Sequence, residues 1–147
     1  MPLVNEYKCN KCGLTLQRGW GYHFYVEDDR GDRIDCHHPQ ERRYVEQVLG
    51  KSPPLESVHK RTGFNSFCVC LDCLHQFKAD LGVPERYWSP YELYLEQHMP
   101  RPKQGKDERK CPKCKSKNVK TELDLVGKAC PKCKKGVIEE IPTGAIA

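Results

Sequence analysis

Long apolar stretches are missing from this chain. No run approaches the roughly 18 consecutive apolar residues that a membrane-crossing helix needs. The opening Met-Pro-Leu-Val-Asn-Glu-Tyr-Lys has neither the apolar core nor the small-residue cleavage site of a secretory signal. A cytoplasmic location with no membrane partner is therefore expected. Apolar residues are scarce altogether: 37% of the 147 residues are hydrophobic against 31% charged, and mean hydropathy is -0.78. That is a thin core for a chain of this length. Also absent are His-Glu-x-x-His, a glycine-rich phosphate loop, and a His-x-Glu followed by Pro-Cys-x-x-Cys. No catalytic residue stands out without them, so neither an enzyme nor a small-molecule substrate is expected.

Cysteine, by contrast, is abundant. The chain has ten, and eight of them fall in Cys-x-x-Cys pairs: Cys9/Cys12, Cys70/Cys73, Cys111/Cys114 and Cys130/Cys133. In a reducing compartment such pairs more often hold metal than form disulfides. Thiol oxidoreductase chemistry through the same pairs is the enzymatic alternative. The spacing Cys111-x2-Cys114-x15-Cys130-x2-Cys133 lies within the range of zinc sites. Four thiolates close a Zn2+ coordination shell and leave no place for water or substrate. Such a site is structural, and metal binding would supply folding free energy on the order of 10 kcal/mol or more. Strand patterns at 118–126 and 137–141 flank the second knuckle, and Cys-Pro-Lys-Cys-Lys occurs at both 111 and 130. This last quarter of the chain resembles the zinc-ribbon superfamily, which implies short antiparallel strands around one zinc.

In the N-terminal part, Cys9-Asn-Lys-Cys12-Gly13 reads as a zinc knuckle in which Gly13 takes positive φ. Leu71, Leu74, Phe77 and Leu81 have helical spacing up to Gly82, which places Cys70 and Cys73 at a helix N-terminus. A knuckle, a hairpin and a helix bearing the second ligand pair resemble a treble-clef zinc finger, with a helical insertion between Cys36 and Cys68. The resemblance implies the quartet Cys9, Cys12, Cys70 and Cys73, in which Cys68 could stand in for Cys70. Cys36, His37 and His38 form a further candidate ligand group. With Cys68, and His75 or His59, Cys36 and His38 would make a third zinc site. The alternative is a half-buried free thiol at Cys36 beside solvated histidines. The opening residues through Cys12-Gly13 are also similar to the start of small bacterial regulatory zinc-ribbon proteins.

Other elements follow from local pattern. Residues 20–26 and 33–36 read as a hairpin around the acidic turn Glu27 to Asp32. Tyr44, Val45, Val48 and Leu49 share one helical face, stopped by Gly50. Residues 51–65, with Pro53-Pro54 and Gly63, read as a loop. Ser89-Pro90-Tyr91-Glu92 opens a helix running to about Met99. The expected fold is a small, metal-stabilised α+β chain. Its parts are a treble-clef-like domain at 1–100, a basic linker at 101–110 and a zinc ribbon at 111–147, with two zinc ions and a candidate third.

Charge is uneven. Residues 1–100 carry a net −2 and residues 101–147 a net +7. Lys103, Lys106, Arg109, Lys110, Lys113, Lys115, Lys117 and Lys120 cluster at the ribbon's first knuckle, and Lys132, Lys134 and Lys135 at its second. They are the candidate nucleic-acid contacts, to RNA, including ribosomal RNA, or to DNA, made through phosphates. No aromatic residue lies between Cys111 and Ala147, so base stacking is not expected there. Trp20, Tyr22, Phe24, Tyr25, Tyr87, Trp88, Tyr91 and Tyr94 supply the other half with aromatics. They favour either a core or, if exposed together, a protein-binding adaptor surface.

Overall fold

The computed structural model describes residues 3–84, 90–102 and 104–146. The chain divides into two compact units, each assembled from non-contiguous segments. The first comprises Met1–Tyr22, Ser66–Ala79 and Asp107–Ala147, and the second His23–Asn65 and Asp80–Lys106. The division expected at 101–110 is not the one observed: residues 111–147 share a unit with the N-terminal 22 residues. The reason is strand pairing across the length of the chain. Among the described residues no helix is long and apolar enough to cross a membrane.

In the first unit, Leu3–Cys9 (β1) pairs antiparallel with Ile138–Ile146 (β7), from Leu3 opposite Ile146 to Cys9 opposite Ile138. The register sets Lys8 opposite Glu139, a favourable cross-strand charge pair. Residues 66–70 of a longer strand, Thr62–Cys70 (β4), pair antiparallel with Gln76–Ala79 (β5) and with Val119–Thr121 (β6). Here two expectations are corrected. The residues after Leu71 form a turn and then β5, not a helix, because Leu74 takes a left-handed conformation (φ 64) that ends any helical run. The strand expected at 118–126 is only β6, followed by a single helical turn, Glu122–Leu125 (α4). Thr121 and Asp124 close that turn reciprocally as a capping box. Tyr7, Cys9, Leu16, Val69, Leu125, Cys130 and Ile138 form the buried core, with Leu14, Leu71, Leu123, Val126 and Cys133 packed against it. Glu122 is 1% exposed, and neither carboxylate oxygen has a hydrogen-bond partner. Burial pushes its pKa up to about 8, which the nearby Gln17 backbone N–H does not offset.

In the second unit, residues 23–27 of a strand, Tyr22–Glu27 (β2), and Arg33–Asp35 (β3) form the expected hairpin, with Tyr25 opposite Asp35. Its turn is closed by Asp28, whose carboxylate accepts the N–H groups of Arg30 and Asp32, both at 2.9 Å. Glu41–Leu49 (α1) ends at Gly50 as its pattern indicates. Residues 51–65 are not a loop: after Pro54 they form Leu55–Arg61 (α2) and then enter β4, with Val58 buried. The fixed backbone of Pro54 suits the start of a helix as well as a turn. Pro90–His98 (α3) matches the expected helix, while its proposed cap Ser89 lies outside the described residues. Phe24, Tyr25, Phe64, Val45 and Leu95 are buried, and the rings of Phe24 and Phe64 meet edge-on at 5.5 Å.

Candidate metal centres

All four Cys-x-x-Cys pairs adopt one local geometry. The residue after the second cysteine is left-handed every time: Gly13 (φ 75), Leu74 (φ 64), Lys115 (φ 65) and Lys134 (φ 62). Only Gly13 does this without steric cost. The other three each give up roughly 1–2 kcal/mol, which the surrounding structure must return. The N–H of each first cysteine closes the turn onto a carbonyl five or six residues on: Cys9 to Leu14, Cys70 to His75, Cys111 to Ser116 and Cys130 to Gly136. Backbone N–H groups also point at sulfur, from Lys11 to Cys9 at 3.3 Å, Lys132 to Cys130 at 3.4 Å and Cys114 to Cys111 at 3.5 Å. In the first and third knuckles these bonds favour the thiolate form of the first cysteine, Cys9 and Cys111.

The knuckles meet in a nested order. The outer two, Cys9/Cys12 and Cys130/Cys133, form one group, and the inner two, Cys70/Cys73 and Cys111/Cys114, form the other. All eight residues expected as ligands are therefore gathered into quartets. Neither expected quartet is the observed one. Cys111 and Cys114 do not join Cys130 and Cys133, and Cys9 and Cys12 do not join Cys70 and Cys73. Strand register dictates the exchange. Cys9 closes β1 opposite Ile138, just after the fourth knuckle, while Cys70 closes β4 opposite Val119, just after the third.

The sulfur positions fit a tetrahedral ion. Cys9–Cys133 and Cys12–Cys130 are both 3.6 Å apart, Cys70–Cys114 3.5 Å and Cys73–Cys111 3.6 Å. A tetrahedron with zinc–sulfur bonds near 2.3 Å has an edge of about 3.8 Å. A disulfide would bring the sulfurs to about 2.05 Å, and all ten cysteines are free thiols. Four soft thiolates per group suit zinc.

Proton affinities within each quartet diverge. The N–H groups of Gly136 and Lys135 hold Cys133 down to about 6. At Cys12 the Leu14 N–H draws the pKa down, but burial and the neighbouring Cys130, Cys9 and Cys133 push it up to about 11. Burial raises Cys111, yet the N–H groups of Cys114 and Lys113 bring it down to about 7. Cys9 and Cys133 in one group and Cys111 in the other are the cysteines held below the ordinary thiol range, and the raised ones need a cation nearby to ionise.

Sequence reasoning missed Gly136 and Asp72. A Cβ built on Gly136 would stand 2.3 Å from the Cys9 sulfur, so only glycine allows the fourth knuckle to close on the first. Its N–H donates to the Cys133 sulfur at 3.3 Å. Asp72 accepts from the Ser116 hydroxyl and from the Asn118 amide at 3.4 Å, tying the second knuckle to the third. These bonds, with the charge of Lys134, keep its carboxyl below the usual range. No local signal in the sequence gives the nested order: the pairing of Lys8 with Glu139 across β1 and β7 becomes apparent only with the register.

Cys36, His38 and Cys68 do not form a third centre: neither metal-type cluster among the described residues contains them. Each is committed elsewhere. The Cys36 thiol points at the Ile34 carbonyl and that of Cys68 at the Ser66 carbonyl. His38 Nδ1 bonds both carboxylate oxygens of Glu41, at 3.0 and 3.1 Å. Burial pushes both thiols up to about 12, the mark of inert structural cysteines. His75 stacks on Phe77, and His59 bonds the Met99 carbonyl.

Of the expected basic contacts, Arg109, Lys110, Lys113, Lys115, Lys117, Lys120, Lys132, Lys134 and Lys135 are exposed on the first unit. Lys106 belongs to the second unit, where its ammonium donates to the Lys60 carbonyl at 2.6 Å. Lys103 lies outside the described residues. No protein-family model matches the chain, and no match is found among curated proteins or solved structures.

Proposed function

We propose that the chain is a non-catalytic zinc-binding protein whose two zinc centres hold a rigid basic surface against the phosphate backbone of RNA or DNA. The observation that carries this reading is the placement of lysine. Lys8, Lys11, Lys113, Lys115, Lys132, Lys134 and Lys135 are all exposed, on or beside three of the four knuckle turns. The unit bearing both cysteine quartets has 14 Lys/Arg against 8 Asp/Glu, and the other unit has 11 against 12. Four thiolates per zinc leave no open coordination position, which argues for a structural metal and against a catalytic one. A reducing, cytoplasmic setting would keep the thiolates available.

The adaptor reading loses much of its footing, since Tyr22, Phe24 and Tyr25 are buried. Tyr94 is exposed, while Tyr87 and Trp88 lie outside the described residues.

The test is fluorescence anisotropy with labelled single-stranded RNA and duplex DNA across a salt series. Wild type is compared with the quadruple variant Lys113→Ala, Lys115→Ala, Lys132→Ala and Lys134→Ala. Losing four phosphate contacts removes about 3.6 from the slope of log affinity against log salt for duplex DNA. Unchanged affinity in the variant, or no binding by wild type at low salt, overturns the reading.

A further inference from the structure

Residues 111–147 contain no aromatic side chain, but the fold supplies their unit with rings from elsewhere, because Met1–Tyr22 and Ser66–Ala79 belong to it too. Tyr7, Tyr22 and Phe67 are buried there, which leaves Trp20, His75 and Phe77 half-buried. Trp20 meets Tyr22 edge-on, at 81°. His75 and Phe77 instead lie 13° from parallel, with ring centroids 5.8 Å apart. That is an offset stack, the arrangement that a further flat ring can extend.

Strand register decides which way this pair faces. Phe77 stands opposite Cys68, and Cys68 opposite Thr121, so the three share one face of the sheet formed by β5, β4 and β6. Val69 lies on the other face, and it is Val69 that joins the buried core of the unit. The His75–Phe77 side therefore faces away from that core. Cys68 is buried in the middle of the row, while Phe77 and Thr121 keep part of their surface open.

The inner quartet braces the pair. The His75 carbonyl accepts the Cys70 N–H at 2.9 Å and so closes the second knuckle. This knuckle meets the third through Cys73 and Cys111, whose sulfurs are 3.6 Å apart. Lys113, within the third knuckle, and Lys117, just after it, are exposed. Asp72, the carboxylate of the second knuckle, is already occupied by the Ser116 hydroxyl and the Asn118 amide. A parallel ring pair on one knuckle and exposed ammonium groups on the adjoining one suit a ligand that is both flat and anionic. Bases within a duplex are covered on both faces by their neighbours, so only an unpaired base can stack on such a pair.

We infer that the His75–Phe77 pair is a stacking platform for an unpaired base of single-stranded nucleic acid. This rests on the phosphate-binding reading above and narrows its ligand to strands whose bases are splayed out.

The test is fluorescence anisotropy of the full-length, zinc-loaded chain with octathymidylate and with an abasic octamer of the same charge, at one low salt concentration. Stacking on an aromatic ring is worth roughly fivefold to a hundredfold in affinity per base. Octathymidylate is therefore expected to bind at least fivefold more tightly than the abasic strand. Phe77→Leu keeps an apolar group beside Cys68 but has no π face. It should abolish that preference while abasic affinity and zinc content stay at the wild-type values. His75→Gln, which removes the other ring, is the second variant and should reduce the preference in the same way. Equal affinity for the two octamers in the wild type, or an unaltered preference in both variants, overturns the inference and leaves the phosphate reading standing. Binding of neither octamer overturns both.

Discussion

Double substitutions of ligands distinguish nested quartets from sequential ones. Cys12 and Cys133 belong to the same quartet in the structure, whereas Cys12 and Cys73 belong to different ones. A sequential pairing reverses both statements. Four thiolates together contribute on the order of 10 kcal/mol or more, so each is worth about 2.5 kcal/mol if shared equally. Removing two from one quartet then weakens that zinc by about 5 kcal/mol, several thousandfold, and leaves the other quartet with all its ligands. Removing one from each weakens both zincs by roughly seventyfold. Native mass spectrometry after incubation with a chelator of intermediate affinity reads the outcome directly. Cys12→Ser with Cys133→Ser should retain one zinc, and Cys12→Ser with Cys73→Ser should retain none. The opposite pattern would refute the nested order and with it the β1–β7 register that imposes it.

Gly136→Ala should lose the zinc held by Cys9, Cys12, Cys130 and Cys133 and keep the other, because its methyl would overlap the Cys9 sulfur; zinc per chain checks this. Burial holds the Glu122 carboxyl at a pKa of about 8 in place of its ordinary 4.5, so the folded chain holds a proton the unfolded one has lost. Stability should therefore fall as pH rises from about 4.5 to 8, by a few kcal/mol in all. Denaturant titrations of Glu122→Gln between pH 6 and 8.5, where zinc stays bound, should show that slope flattened and stability raised at the alkaline end. Lys115→Gly relieves the left-handed strain of an exposed knuckle residue (φ 65). It should stabilise the fold by a net of about 0.5–1 kcal/mol after the added unfolded-state entropy is subtracted, read as a higher melting temperature.

What the sequence disclosed was local, and what it withheld was long-range. The hairpin around Asp28, the Gly50 stop of α1 and the conformation of Gly13 each depend on a few adjacent residues, and each was legible. The eight ligands were legible because Cys-x-x-Cys is itself a local signal. Their partners were not, because a knuckle fixes two sulfurs and is indifferent to which other knuckle completes the shell. That choice is made by β1 and β7, whose paired residues Cys9 and Ile138 are 129 positions apart. Helical spacing at Leu71, Leu74 and Phe77 misled for a related reason. Leu71 packs into the core and Phe77 lies on β5, while the left-handed Leu74 between them breaks the period.

The nested order couples the two quartets. One core cluster contains Cys9 and Cys130 of the outer quartet together with Val69, which precedes the inner ligand Cys70. Leu71, between the inner ligands Cys70 and Cys73, packs on the same cluster beside the outer ligand Cys133. Emptying one quartet therefore leaves the other with all four ligands on a looser core, and the remaining zinc should stay bound but less tightly than in the wild type. The arrangement also means that residues 111–147 hold half of each quartet and the whole of neither. Cut out alone, that segment would bring four cysteines without the β1 and β4 strands that align them, and deleting it would break both centres at once. Point substitutions at the exposed lysines, which leave β1, β4, β6 and β7 intact, are therefore the way to test the proposed nucleic-acid binding without disturbing the fold.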